Sequence, residues 1–330
     1  MEPWFDVCEA EALGAYVRGG GWGTEFRQTE KFESQLGELT KAKHVVVTTS
    51  GTVALSVAYL AAGVGVGDEV IVPNLTMIAT PNAARMIGAV PVLVDIEAAT
   101  LNIDITQVEA SITARTKAVV HVSLNGRSNN IEALLALCRK KGIKLIEDSC
   151  QSLGSTNGGR HLGTIGDIGT LSFSPPKIIT TGQGGAIITN SDEAAKAIRK
   201  LKDFGRTSGG HDFHDSIGFN FKFTDFQATV GIEQMKKLPW RLERKKEIWH
   251  RYRSNLTDVQ AIQWIKTDTD AVAPWFIDIY LENRDGLAAW LRDRDIGSRP
   301  VYPPIHSQEA YNLRALSFPV TEFYSTRGLW

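Results

Sequence analysis

An excess of charge of either sign is missing from this 330-residue chain: 36 Lys and Arg stand against 37 Asp and Glu, a formal net charge of −1. Nucleic-acid binders carry a basic excess, so that class is excluded as the default. With 43% hydrophobic residues, disorder is excluded as the main state. Cysteine is scarce. Cys8, Cys138 and Cys150 form no C-x-x-C pair and are odd in number, so neither a disulfide framework nor a cysteine zinc site is expected, and no metal. No apolar run approaches the roughly 18 residues that cross a bilayer. The acidic start, Met1 to Asp6, lacks the apolar core of a signal peptide. Internal repeats and low-complexity segments are absent as well. A soluble, cytoplasmic protein of one large or two ordinary domains is expected, with no membrane and no nucleic-acid partner.

What is present is an alternation. β-Branched runs at 44–49, 69–73, 90–95, 118–122 and 144–148 read as strands, and the intervening segments read as helices stopped by Gly63, Gly88 and Gly142. Ile131, Leu134, Leu135 and Cys138 fall at i, i+3, i+4 and i+7, one apolar helix face. Such alternation requires crossover connections and a largely parallel sheet covered on both sides. Runs at 170–173 and 186–189 add strands close enough in sequence to suggest one non-parallel member. After Lys237 the texture changes. Pro239 suits the first turn of a helix running to Leu256, with Leu242, Trp249 and Leu256 as its buried stripe. Strands near 275–280 and 297–299 and a helix near 287–292 follow. The expected architecture is a three-layer α/β/α large domain over 1–237 with a mostly parallel mixed sheet, and a smaller α+β domain over 238–330.

Four segments carry chemistry. Thr49-Ser50-Gly51-Thr52, at a strand-to-helix junction, lets backbone N–H groups approach an anion; a plain capped turn is the simpler alternative. Glu147-Asp148-Ser149-Cys150-Gln151 places a carboxylate at the end of a buried parallel strand, where α/β proteins bind ligands; taken alone, a helix cap or a salt-bridged loop acid is the simpler reading. Ser172-Phe173-Ser174-Pro175-Pro176-Lys177 ends a strand and sets a lysine in a stiffened turn before Thr180-Thr181-Gly182-Gln183-Gly184-Gly185. Burial of such a lysine opens Schiff-base chemistry. In Gly218 to Asp225 the aromatics read as packing, and Thr224 or Asp225 as a helix cap. Together, an anion-binding helix start, an acid on a strand end and a later lysine are the three anchors of pyridoxal phosphate (PLP).

On these residues the chain resembles the DegT/StrS nucleotide-sugar aminotransferases, a branch of the fold type I PLP enzymes, from about Gly21 to Trp330. The matching stretches are Ser50-Gly51-Thr52 with Ala54-Leu55, Val72-Pro73 through Thr76 with Ala79-Thr80, and Glu147-Asp148 with Gln151 and Gly154. Ser172-Phe173 with Lys177, Gly182 to Gly185, and Asn220 with Gln227-Ala228 complete the set. The resemblance implies that Lys177 forms the Schiff base with PLP and shuttles the proton, with pyridoxamine phosphate as the alternate form. It implies that Asp148 pairs with the pyridine nitrogen, Gln151 with the phenolic oxygen, and Gly51, Thr52 and Ser172 with the phosphate. Asn220 is implied to reach the phosphate of the neighbouring subunit's cofactor, which makes the active unit a homodimer. The implied substrates are an amino-acid donor, glutamate, and a keto-sugar nucleotide. The implied role is amino-sugar synthesis for a surface polysaccharide.

The chain departs from the family's pattern in places. Met77 stands where an aromatic ring often covers the cofactor; a thioether can cover the ring with less rigidity. Asn130 stands at an Asp-like position. Relatives with histidine in place of the lysine are dehydratases, so Lys177 favours amino transfer. A non-catalytic or weakly active PLP-binding relative, or a PLP-dependent sugar dehydratase, stays open. Gly63-Val64-Gly65-Val66-Gly67 mimics part of a dinucleotide fingerprint but lies after a helix and before a strand, the wrong order. Eight Lys/Arg and two Glu between Lys236 and Arg253 read as a solvated helix face, with attraction of a nucleotide diphosphate by Lys245 and Lys246 as a further reading. His306, with Tyr302 and Pro303, resembles a segment near the sugar-nucleotide site. Relatives run on past the position of Trp330 into a further loop and helix, so the small domain is expected to lack that element and to expose apolar surface.

Overall fold

The structure, a computed structural model, describes residues 3–207 and 212–330; Met1 and Glu2 of the acidic start lie outside the described residues. The chain begins with α1 (Val7–Arg18) and α2 (Arg27–Thr40), then β1 (His44–Thr48), α3 (Gly51–Ala61), β2 (Glu69–Pro73), α4 (Ala79–Met86) and β3 (Val90–Val94). It continues through α5 (Ile105–Ser111), β4 (Thr116–Val122), α6 (Ile131–Lys141), β5 (Lys144–Asp148) and the small hairpin β6 (Thr156–Asn157)–β7 (Arg160–His161). β8 (Ile168–Ser172), β9 (Gly185–Thr189), α7 (Asp192–Lys202) and α8 (Asp225–Asn255) follow, then β10 (Ile279–Tyr280), α9 (Arg284–Arg292), α10 (Pro319–Arg327) and β11 (Gly328–Leu329).

Seven strands form one sheet in the order β1-β9-β8-β5-β4-β2-β3. β9 runs antiparallel to both its neighbours and the other pairings are parallel, the mixed sheet expected. Alternation within each strand builds the layers. Val46, Val70, Val72, Val120, Ile146 and Ile187 point into one core with α3. Val45, Val47, Leu171 and Ile188 point the opposite way, against Phe32 and Leu36 of α2 and Ile232 of α8. Ile71, Val119 and Leu145 meet the Ile131–Leu134–Leu135–Cys138 face of α6. Both faces are covered, as a sheet of near-continuous hydrophobic strands demands.

Local chemistry sets the boundaries. Asn130, at the Asp-like position, caps α6 by accepting from Ala133 N at 3.2 Å, and Gly142 closes it at φ +69°. Gly63 and Gly67 adopt φ of +83° and +82°, so that glycine run is a helix-to-strand turn. α2 lacks a cap of its own. Asp225, at the start of α8, accepts instead from the backbone N–H groups of Phe26, Gln28 and Thr29 at 2.8, 3.1 and 2.9 Å.

Three expectations are corrected. Pro239 does not start a helix; it lies inside the 31-residue α8, which spans the expected boundary at 237/238. Proline deletes one helical hydrogen bond, and packing of α8 on α1 and α2 carries the helix through. Of 275–280 only Ile279–Tyr280 pairs, with Gly328–Leu329. Segment 297–299 is no strand, although Arg299 N and O bond to Trp330 at 2.7 and 2.9 Å.

The C-terminal region is keyed onto the ends of the large sheet's strands by buried polar groups. Asn74, after β2, holds His306 through its backbone N and its Nδ1. Asp95, after β3, accepts from Val320 N and Thr321 N at the start of α10. Arg127, after β4, forms a two-pronged ion pair with Asp278 at 3.0 and 2.7 Å. Leu329 is buried, and Trp330 packs against Trp275, Phe276 and Tyr302, while Trp290, Ile296 and Phe323 stand exposed. No helix of the described residues is long and apolar enough to cross a membrane.

Candidate active site

The parallel strands end along one rim, and the turns that leave them enclose a cavity of ≈ 300 Å³. This is the position at which open α/β sheets bind ligands. Ser50, Gly51 and Thr52 enter after β1, Met77 and Ala79 at α4, Asp148, Cys150 and Gln151 after β5, and Ser172, Ser174 and Lys177 after β8. Trp275, Arg299 and Tyr302 close it from the C-terminal region.

Ser50 caps α3, accepting from Val53 N at 3.2 Å, which leaves the other first-turn N–H groups for a ligand. Gly51 is required by space. A Cβ there would lie 2.9 Å from Ser172 Cβ and 3.1 Å from Cys150 Sγ. Gly185 lets β9 come close to the same turn, since its Cβ would stand 2.4 Å from Ser50 O. The result is a tight concave floor with the hydroxyl of Ser172 beside a helix N-terminus.

Asp148 is buried at the end of β5. Its Oδ2 accepts from Thr80 Oγ1 at 2.7 Å and its Oδ1 from Cys150 N at 3.2 Å. A carboxylate has about four acceptor sites, so it can take a further donor from the cavity. Gln151 Oε1 accepts from Asn125 N at 2.8 Å, which fixes the amide so that Nε2 is the group left to donate, here toward Tyr302 OH at 3.4 Å.

Lys177 follows a loop tied at several points: Lys177 N to Ser174 O at 3.0 Å, Thr181 N to Phe173 O at 3.0 Å, and Phe173 N to Gly184 O at 2.9 Å. Its Nζ lies 3.9 Å from the centre of the Trp275 ring, and Trp275 Nε1 donates to Pro176 O at 2.7 Å, clamping that loop. Loss of water around the amine lowers its pKa from the usual lysine value, against the raising influence of Cys150 and Asp148; the charge of Arg299 adds to the lowering.

The structure thus brings Gly51, Thr52, Met77, Asp148, Gln151, Ser172 and Lys177 to one cavity. Met77 is 46% exposed at its edge. Asn220 is exposed and pairs in a bridge with Asp203, away from the cavity lining. His306 is not brought there: it is buried, bonded to Asn74 and 3.4 Å from Glu322, which is a structural role. Lys245 donates to Trp275 O at 2.8 Å and burial lowers its pKa to about 8, while Lys246 pairs with Glu243. Lys245 is therefore withdrawn from the solvated helix face, whereas Lys246 stays on it beside the exposed Glu243. Trp275 and Arg299 had no distinguishing sequence signal as site residues. No group of three or more His, Cys, Asp or Glu is gathered as a metal site among the described residues.

A lysine, a buried carboxylate and a helix N-terminus converge at the strand ends of this sheet, and comparison with known proteins places the chain in the aminotransferase class. The chain belongs to the DegT/DnrJ/EryC1/StrS aminotransferase family, whose profile matches residues 7–330. It is 33% identical to the GDP-perosamine synthase of Vibrio cholerae over 335 residues, covering 99% of this chain and 91% of that one. The solved DegT DnrJ EryC1 StrS aminotransferase of Brucella abortus superposes with a TM-score of 0.90 at 30% identity, covering 97% of this chain and 88% of that one. A putative sugar aminotransferase of Streptococcus pneumoniae, solved in its PMP form, superposes with a TM-score of 0.92 at 26% identity, covering 99% and 91%.

Proposed function

We propose that this chain binds PLP and transfers an amino group from glutamate to a nucleotide-linked 4-keto-6-deoxy sugar, as a cytoplasmic homodimer, in making an amino sugar for a surface polysaccharide. The convergence of Lys177, Asp148 and the Ser50–Thr52 helix start on one cavity carries this reading. Similarity to a GDP-perosamine synthase supports the sugar-nucleotide acceptor.

The residues present fit the cofactor. The floor at Gly51, which a Cβ would fill, leaves room for a phosphate, and Thr52, Ser172 and the first-turn N–H groups of α3 would hold it. Asp148 would keep a proton on the pyridine nitrogen. Gln151 Nε2 would donate to the phenolic oxygen, and Met77 would cover one face of the ring. When bound, PLP supplies an aldehyde for the Lys177 amine and a ring that accepts electrons.

The chain's own work is proton handling and orientation. Desolvation favours the neutral amine of Lys177, which can take the proton from the substrate carbon bearing the amino group and later return one to the acceptor carbon. Trp275 covers that amine and limits water around it. Exposed aromatic side chains at Trp22, Phe26, Phe219 and Phe226 support a dimer interface from which Asn220 reaches the partner's site.

The test is purified protein with PLP and glutamate against a panel of GDP-, UDP- and dTDP-linked keto sugars, read by product mass. An amino group in place of the oxo group is expected with one member, and loss of turnover in K177A. PLP uptake with no turnover on any member would contradict the transferase reading and favour a non-catalytic relative. Mixing inactive K177A and N220A proteins tests the dimer: shared sites restore part of the activity, and separate sites restore none.

A further inference from the structure

The turn that carries Lys177 has little backbone bonding of its own. Pro175 and Pro176 bring no N–H, and the turn closes through the bond from Lys177 N to Ser174 O. Further ties come from outside it, and three of them trace to one helix. Gln234, Arg241 and Lys245 stand at i, i+7 and i+11 of α8, a spacing that puts them on one face. Gln234 Oε1 accepts from Thr180 N at 3.3 Å, Arg241 Nη1 donates to Ile178 O at 2.6 Å, and Lys245 Nζ donates to Trp275 O at 2.8 Å. Trp275 passes the hold on: its Nε1 donates to Pro176 O at 2.7 Å, and Lys177 Nζ lies 3.9 Å from its ring centre. The carbonyls before and after Lys177 are thus both fixed, one by Arg241 directly and one by Lys245 through Trp275.

The helix side of this arrangement is itself anchored. Trp4 O accepts from Gln234 Nε2 at 2.8 Å and from Arg241 Nη2 at 3.1 Å, and the guanidinium carbon of Arg241 lies 5.1 Å from the Trp4 ring centre. Arg241 therefore bridges two backbone carbonyls, Trp4 O and Ile178 O, a task that suits a planar fork of donors. A reacting amine on a long side chain inherits its position from the backbone below it, and misplacement by about 1 Å costs up to about 100-fold in rate. We propose that Arg241 and Lys245 are positioning residues for Lys177: they fix Ile178 O and, through Trp275, Pro176 O, so that the amine keeps its place and stays covered by the Trp275 ring. The catalytic consequence rests on the reading of Lys177 as the Schiff-base lysine; the hold on the loop does not.

The test compares full-length wild type, R241M, K245M, R241K, K245R and R244M. Before PLP is added, acylation of Lys177 by acetic anhydride is followed against pH by peptide mass. In the wild type its midpoint lies below the ordinary lysine value, because the amine is short of water and Arg299 opposes its charge, against the raising influence of Cys150 and Asp148. In R241M and K245M the Trp275 ring no longer stays on the amine, and the midpoint moves up toward the ordinary value. R241K and K245R keep a donor and stay near wild type. R244M removes a charge of the same sign from the same helix, but Arg244 bonds to Glu247, so its profile is unchanged. After PLP loading, kcat falls about 10- to 100-fold in R241M and K245M while KM for glutamate stays within about 3-fold. An unmoved midpoint in both methionine variants, an equal shift in R244M, or an effect confined to KM overturns the proposal. If R241M does not fold, K245M against K245R decides it. Failure of the parent reading looks different: PLP-loaded wild type shows no turnover, while the midpoint still moves in the methionine variants.

Discussion

Replacing Gly51 with alanine separates a phosphate cradle from an ordinary helix-capping turn. The added methyl meets Ser172 Cβ at 2.9 Å, Cys150 Sγ at 3.1 Å and Ser172 Oγ at 3.2 Å, so each must give by a few tenths of an ångström. Overpacking of this kind costs about 1–3 kcal/mol. Gly51 is the first residue of α3, where alanine recovers up to about 1 kcal/mol of helix propensity. Global stability should therefore change little, by about 0–2 kcal/mol of destabilisation. Cofactor affinity should change more. The methyl displaces the Ser172 hydroxyl and occupies the floor, removing one or two charge-assisted hydrogen bonds of about 1.5–3 kcal/mol each, or about 10-fold or more in Kd. The assay is absorbance titration of apoprotein with PLP beside urea denaturation, with G297A as a control because a Cβ at Gly297 meets nothing within 4 Å. If G51A holds PLP within about 2-fold of wild type, the turn is only a cap and the cradle is refuted.

The buried Arg127–Asp278 pair should behave as a keystone between β4 and the C-terminal region. R127M strands a carboxylate that is 4% exposed, so urea denaturation should report a loss of about 3–5 kcal/mol; a loss below about 1 kcal/mol contradicts the bridge. Acid should act through His121 and His161, each held neutral to about 4 by burial. An ordinary histidine titrates near 6.5, so the unfolded chain binds more protons in between. The stability each neutral ring contributes is full above pH about 6.5 and is lost as pH falls through about 4, on the order of 3 kcal/mol per histidine. His161 accepts from Gly154 N at 3.0 Å through Nε2, a bond that protonation breaks. Denaturation between pH 7 and 4 should show a shallower acid loss in H161Q, and an unchanged slope excludes His161 from that loss.

The parallel sheet was legible because its strands are short β-branched runs bounded by glycine, and because the α6 face repeats at helical spacing. Asp148 and Lys177 were legible as polar groups at strand ends. Pro239 misled because a local rule, proline at a first helical turn, yields here to packing along the whole of α8. The apolar run at Trp275-Phe276-Ile277 reads as a strand, but the rings of Trp275 and Phe276 cluster with Trp330, and Trp275 bonds to the loop of Lys177. Trp275 and Arg299 join a cavity whose other walls lie far away in sequence, which no local pattern announces, whereas Tyr302, which also lines it, stood in the segment resembling one near the sugar-nucleotide site. His306 follows the commoner fate of an isolated histidine, satisfied by neighbours in the core.

Lys177 as the group that holds the cofactor can be tested by one covalent measurement. Borohydride reduction of the PLP-loaded protein followed by peptide mapping identifies the lysine that carries the cofactor. Label on Lys177 alone is predicted; label on another lysine, or no label at all, contradicts it.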